Sequence, residues 1–148
     1  MKEVILAAAY WLHLTATVVW IGGIAFILFI AIPSAKQVLG GEAGKLMAEI
    51  SRRFTPSVNY SIILLIVTGI ALTGLNKQFI GIGNFGNNWT LTLTLKHLLV
   101  SGMIVIHFYR GLMLAPKIAR TESVTGKTSL QKFSLNLVRV NICLGKLI

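Results

Sequence analysis

Two histidines, His13 and His97, lie inside long apolar segments of the chain. An ionisable ring in the hydrocarbon of a membrane is costly, so such a residue usually faces the interior of a bundle, a partner or a cofactor. A neutral imidazole nitrogen is also a ligand for haem iron and for copper. The first chemistry that these residues indicate is therefore metal ligation by imidazoles on two different helices.

Both histidines are predicted to lie on membrane helices. Three apolar runs reach or approach the length of about 20 residues that a bilayer span needs. A fourth run is interrupted by Arg139 and Lys146 and stops with the chain. We predict an all-α fold, an integral membrane four-helix bundle whose last helix is truncated. It forms a single domain, residues 1–148, with helices at approximately 4–32, 56–75, 90–115 and 131–148.

Composition supports this class and excludes others. A mean hydropathy of +0.78 with 55% hydrophobic residues is typical of a small polytopic membrane protein. The net charge of +10 does not indicate nucleic-acid binding, because the basic residues lie in the connections and no soluble module carries them. They are expected to contact anionic membrane lipid instead. Cys143 is the single cysteine, which excludes a disulfide framework.

The distribution of positive charge predicts the topology. The connections at 33–55 and 116–132 carry four lysine or arginine residues each, whereas Lys77 is the only one between the second and third helices. The positive-inside rule then places the N-terminus outside, in a multi-pass protein of a prokaryotic cytoplasmic membrane. Thr55 and Pro56 resemble an N-cap followed by a first-turn proline, so the second helix is predicted to begin there.

Helix geometry allows one site to hold both His13 and His97. Both helices run from outside to inside, and the two rings lie within about two helical turns of each other in depth. His107 lies about 15 Å deeper than His97 and is turned by about 80°, so it hardly shares that site. Two alternatives stay open: the pair ligates a metal, or each ring bonds a carbonyl or hydroxyl between helices.

Three further residues are predicted to contact a cofactor held by this pair. Trp20 shares a helix face with His13, and Ser101 shares one with His97. Lys96 lies beside His97, where its ammonium group could pair with a haem propionate. Copper is the alternative occupant, although the four methionines do not cluster around the pair.

Residues 81–86 match a dinucleotide fingerprint, but they follow a membrane helix rather than a strand and are interpreted as a loop.

Several short segments together resemble a known membrane family, the CopD-type copper-resistance domain, and through it the HemJ-type protoporphyrinogen oxidases. The segments that carry the resemblance are His13-Leu14, Trp20-Ile21-Gly22-Gly23, Arg52-Arg53-Phe54, Leu65-Ile66-Val67-Thr68-Gly69-Ile70 and Leu95-Lys96-His97. The resemblance implies a four-helix membrane domain with a first-helix histidine matched by His13 and a third-helix lysine matched by Lys96. In the HemJ branch it also implies bound haem b.

These observations lead to one main functional expectation and three alternatives. The main expectation is a b-type haem protein that transfers electrons near the outer face, as a subunit of a larger electron-transport complex or with a periplasmic redox carrier. His13 and His97 are its expected metal ligands. The alternatives are a copper permease that works with a periplasmic copper carrier, a protoporphyrinogen oxidase, and an accessory subunit without cofactor. Whether the protein is an enzyme stays open.

Overall fold

The computed structural model describes residues 1–75 and 88–147, and those residues are helical apart from short turns. The all-α fold class is therefore confirmed for the described residues. The chain divides into two compact units, Met1–Gly81 and Ile82–Ile148. The predicted grouping of residues 1–148 into one domain stays a prediction, and the predicted loop at 81–86 lies outside the described residues.

The first unit contains two helical segments joined by a short turn. Segment α1 covers residues 2–39 and alternates α-helix with two π-helical turns: Lys2–Thr17, Val18–Gly22, Gly23–Phe26, Ile27–Ala31 and Ile32–Leu39. The 3₁₀ turn Gly40–Glu42 follows, and Gly40 has a φ of 51°, a left-handed value that glycine adopts without a Cβ clash. Segment α2 is Ala43–Leu75.

Segments α1 and α2 pack against each other in opposite directions. Moving along α1 from His13 to Gly23, the neighbouring residue on α2 moves back from Thr68 to Phe54. A Cβ added at Gly23 would overlap the ring of Phe54, so the missing side chain is what allows this close approach. The buried apolar residues of the pair are Ala16, Trp20, Ala35, Ala43, Val58, Ile62 and Leu65.

The prediction that the second helix begins at Thr55 and Pro56 is wrong. Segment α2 begins at Ala43, and Pro56 lies inside it. The Thr55 hydroxyl caps nothing and instead donates to the carbonyl of Ser51, at 2.7 Å. A proline inside a helix removes one backbone donor, but its fixed φ is helical, so a helix supported by neighbours can continue through it. Most of the predicted connection at 33–55 is therefore helical.

The second unit also contains two helical segments in opposite directions. Segment α3, Asn88–Arg120, contains a π-helical stretch at Tyr109–Leu114, and segment α4 is Val124–Gly145. Arg110 Nε donates to Ser134 Oγ at 3.2 Å, and Asn141 Nδ2 donates to the Met103 carbonyl at 3.4 Å. These two links lie seven residues apart on both segments, which indicates an antiparallel pair in regular register.

The predicted bounds of the last two helices also need correction. Segment α3 continues past the predicted end at 115 to Arg120, and α4 begins at Val124 rather than at 131. The N-cap Ser123 explains the early start, because its hydroxyl accepts a hydrogen bond from the Gly126 backbone at 3.4 Å. Polar residues that the sequence analysis assigned to a connection therefore belong to the first turns of α4.

Two helical stretches are long and apolar enough to cross a membrane, Lys2–Leu75 and Asn88–Arg120. Only 11% of the most apolar window of each stretch is buried inside the structure. Large side chains on the outside include Ile70 and Leu98, each 69% exposed. The apolar residues of these helices are thus mostly on the outer surface rather than in a core.

Candidate functional site

His13 lies on α1, and its ring is oriented by a hydrogen bond to a hydroxyl of the neighbouring segment α2. Its Nδ1 lies 2.8 Å from Thr68 Oγ1, and Thr68 Oγ1 itself donates to the Leu64 carbonyl at 2.6 Å. A hydroxyl has one hydrogen, so Thr68 must accept from His13 rather than donate to it. This assignment puts the ring proton on Nδ1 and, in the neutral imidazole, the lone pair on Nε2.

The backbone of α2 shapes the space beside the His13 ring. A Cβ at Gly69 would lie 3.7 Å from His13 Cε1, an ordinary contact distance, so the ring rests against this part of α2. A shallow groove of about 320 Å³ is also lined by His13, together with Tyr10, Trp11, Leu14 and Thr17 of α1. His13 is therefore half-buried: its ring contacts α2 and the residue also lines an open groove.

Trp20 lies further along α1 and is almost completely buried, with 1% of its surface exposed. It belongs to the π-helical turn Val18–Gly22. Among the described residues, its indole Nε1 has no hydrogen-bond partner. A buried donor without a partner is unfavourable, so this atom is a place where a ligand acceptor could bind. The predicted contact between Trp20 and a cofactor stays a prediction.

His97 lies on α3 and is held by its own helix. Its Nδ1 lies 2.7 Å from the carbonyl oxygen of Leu93, one turn earlier. A carbonyl oxygen can only accept, so His97 Nδ1 carries a proton and the neutral ring has its lone pair on Nε2. His97 is exposed, as are the two neighbouring residues predicted to contact a cofactor, Lys96 and Ser101.

The predicted site residues therefore divide between the two units. His13 and Trp20 belong to the first, whereas Lys96, His97 and Ser101 belong to the second. The matched depth of the two histidines stays a prediction. Within residues 1–75 and 88–147, no group of three or more His, Cys, Asp or Glu side chains could hold a metal ion.

Sequence reasoning missed two hydrogen bonds between helical segments, one of which orients the His13 ring. Thr68 occurs in one of the segments that carry the family resemblance, but no role was predicted for it. The signal that could have identified Thr68 is a hydroxyl beside Gly69 in the middle of an apolar run. The link between Arg110 and Ser134 was also missed, because it depends on the register of α3 against α4.

Glu42 and Glu49 form ion pairs with basic side chains of the first unit. Glu49 accepts hydrogen bonds from Arg52 Nε at 2.9 Å and from Arg53 Nε at 2.7 Å, in the polar part of α2. The Arg52 guanidinium, followed by that of Arg53, holds the pKa of Glu49 below its usual range. The only other ion pair among the described residues joins Lys45 to Glu42.

Comparison with known proteins identifies no relative. No family model matches this chain, and no curated protein or solved structure matches it. The resemblance to the CopD-type and HemJ-type proteins therefore stays a prediction from short segments. Inference about function depends on the two histidines and the helices that carry them.

Proposed function

We propose that the chain is a membrane-embedded b-type haem protein that transfers electrons, in which His13 and His97 would hold the haem iron through Nε2. One observation carries this proposal: both rings direct Nδ1 to an oxygen acceptor, Thr68 Oγ1 for His13 and the Leu93 carbonyl for His97. Each neutral ring then has its lone pair on Nε2, the nitrogen that would ligate iron.

This tautomer is the one that a ligating histidine needs. Metal-bound imidazoles usually donate their other N–H to a carbonyl, a carboxylate or water, which sets the ring orientation and increases the basicity of the ligating nitrogen. The same hydrogen bonds also occur in histidines without metal, so the tautomer supports ligation without requiring it. Iron would supply the one-electron chemistry, and the protein would supply ligands, burial and orientation.

The proposal places α1–α4 together as a four-helix membrane bundle. The outward apolar surface of Lys2–Leu75 and Asn88–Arg120 supports contact with lipid. With the N-terminus outside, His13 and His97 lie toward the outer face, where another subunit or a periplasmic carrier could exchange electrons with the haem. In this proposal the Lys96 ammonium pairs with a propionate, while Trp20 and Ser101 line the cofactor.

An absorption spectrum tests the proposal directly. The protein is expressed with ample haem, purified in detergent and examined for a Soret band with low-spin features. His13→Ala and His97→Ala are expected to abolish the low-spin spectrum, whereas the matched control His107→Ala keeps it. Circular dichroism verifies that each variant is still helical. A wild-type protein without a Soret band, or a normal spectrum in both ligand variants, contradicts the proposal.

Thr68 provides a finer test, because its hydrogen bond to His13 would strengthen iron binding by that ring. Loss of such an orienting hydrogen bond typically lowers metal affinity by about 10- to 100-fold. Thr68→Val is therefore expected to weaken haem binding by about that factor and to shift the reduction potential, while Thr68→Ser retains both.

Copper analysis of the same samples tests the alternative: bound copper without haem would favour a CopD-like copper protein. Complementation of a haem-synthesis mutant tests the HemJ-like oxidase activity.

A further inference from the structure

The last turns of α3 form a groove with an apolar part and a basic part. It has a volume of about 560 Å³ and is lined by Leu112, Met113, Pro116, Lys117, Arg120 and Thr121. Leu112 is 73% exposed and Met113 is 64% exposed, although both belong to a helix of membrane-spanning length. Lys117 and Arg120 follow them toward the polar end of that helix. The groove thus combines exposed apolar side chains with two adjacent cations.

Local structure keeps the basic part of this groove in place. The Thr121 hydroxyl donates to the Lys117 carbonyl at 2.7 Å and closes the last turn of α3. Gly126, in the first turn of α4, lies against the Thr121 methyl group, because a Cβ there would be only 3.2 Å from it. The end of α3 is therefore supported by the start of α4, and both cations lie on a supported turn.

The two cations of the groove form no ion pair with any described residue. No carboxylate lines the groove, although Glu122 directly follows its last lining residue along the chain. Within residues 88–147, neither Lys117 nor Arg120 lies in a salt bridge. A guanidinium and an ammonium at the same place are the donors that a phosphate group prefers.

We propose that this groove binds one anionic phospholipid from the membrane. Its phosphate contacts Lys117 and Arg120, and its acyl chains lie along Leu112 and Met113. Charge selects the anionic headgroup, and the apolar side chains favour a lipid over free inorganic phosphate. The proposal requires α3 to lie in a membrane but does not depend on haem, since the groove is roughly 30 Å along α3 from His97.

Native mass spectrometry of the detergent-purified full chain tests this site. The protein is titrated with phosphatidylglycerol and, separately, with phosphatidylcholine of the same acyl chains. We expect clear preference for phosphatidylglycerol. The double variant Lys117→Gln/Arg120→Gln should weaken its binding by about 30-fold, given about 1 kcal/mol per basic residue near anionic lipid. Millimolar inorganic phosphate should not displace it.

The matched control removes the same charge elsewhere. Lys127→Gln/Lys132→Gln changes two exposed lysines of α4 that do not line the groove, and it should leave the affinity within about threefold of wild type. An equal loss in both double variants would show general charge attraction rather than a site. Equal binding of the two lipids, or displacement by inorganic phosphate, would also overturn the proposal. The Soret band is expected to be the same in both variants, so failure here does not affect the haem proposal.

Discussion

His13 and His97 carry the ring proton on the same nitrogen, but different parts of the structure put it there. The acceptor for His13 is a side chain on another segment, Thr68, which is 55 residues away in sequence. The acceptor for His97 is the Leu93 carbonyl, four residues earlier on the same helix. The orientation of His13 is therefore a product of packing between α1 and α2, whereas that of His97 needs only a regular helix.

This difference indicates how each ring should respond to mutation. Changes at the α1–α2 contact should disturb His13 and leave His97 unaffected. Changes at the contact between α3 and α4 should have little effect on either tautomer, because His97 receives its acceptor from its own helix. Nitrogen NMR of the imidazole rings reports each tautomer, and titration with sodium dodecyl sulfate in mixed micelles reports the free energy of unfolding.

The largest expected effect is at Gly23. In Gly23→Ala the new methyl group overlaps the Phe54 ring, which must move, and overpacking of this kind costs about 1–3 kcal/mol of unfolding free energy. The displacement should also lengthen the hydrogen bond between His13 and Thr68. Gly22→Ala is the control, because its Cβ would meet only Val18 at 3.9 Å. Equal stability of the two variants would contradict the inferred close approach.

A smaller effect is expected when the His13 acceptor itself is removed. Thr68→Val leaves His13 Nδ1 without this partner and should lower the unfolding free energy of the cofactor-free protein by about 1 kcal/mol. The ring NMR signal of His13 should change, while that of His97 stays as in wild type. Thr15→Val is the control, since its exposed hydroxyl bonds only to the carbonyl of Trp11 on its own helix. A shift of the His97 signal would argue against independent orientation.

The hydrogen bond between Asn141 and Met103 in the second unit should contribute less to the free energy of unfolding. Asn141 is 1% exposed and donates to the Met103 carbonyl over a long 3.4 Å, and its Oδ1 has no partner among the described residues. Asn141→Leu removes the weak bond and the unpartnered acceptor together, so the unfolding free energy should change by less than about 0.5 kcal/mol. A loss comparable to that of Gly23→Ala would show that Asn141 has a stronger role than its geometry indicates.

The smallest expected effect is a pH dependence from Glu49. Its pKa is lowered in the folded chain, first by Arg52 and then by Arg53, so its contribution to stability is present above the unfolded pKa. That contribution is lost as the pH falls through the lower, folded pKa. Circular dichroism should therefore show a slight loss of helix in acid that Glu49→Gln no longer shows. A wild-type pH dependence in Glu49→Gln would contradict this assignment.

The sequence by itself determined the helical fold class and the presence of long apolar helices, because hydrophobic runs of that length have few other stable structures. It also singled out His13 and His97, since ionisable rings inside apolar runs are unusual. The acceptor of His97 is local and could have been predicted from helix geometry, because a carbonyl one turn earlier is always within reach of a suitable rotamer.

Tertiary structure decided the remaining features. Pro56 indicates a helix start in sequence, but the packing of α2 against α1 allows the helix to continue through it. The Ser123 cap moved the start of α4, and the packing of α1 against α2 brought Thr68 to His13. Periodicity shows which residues share a face of one helix, but not which residue of another helix lies opposite. That register depends on side-chain fit, so the tautomer of His13 required the folded structure.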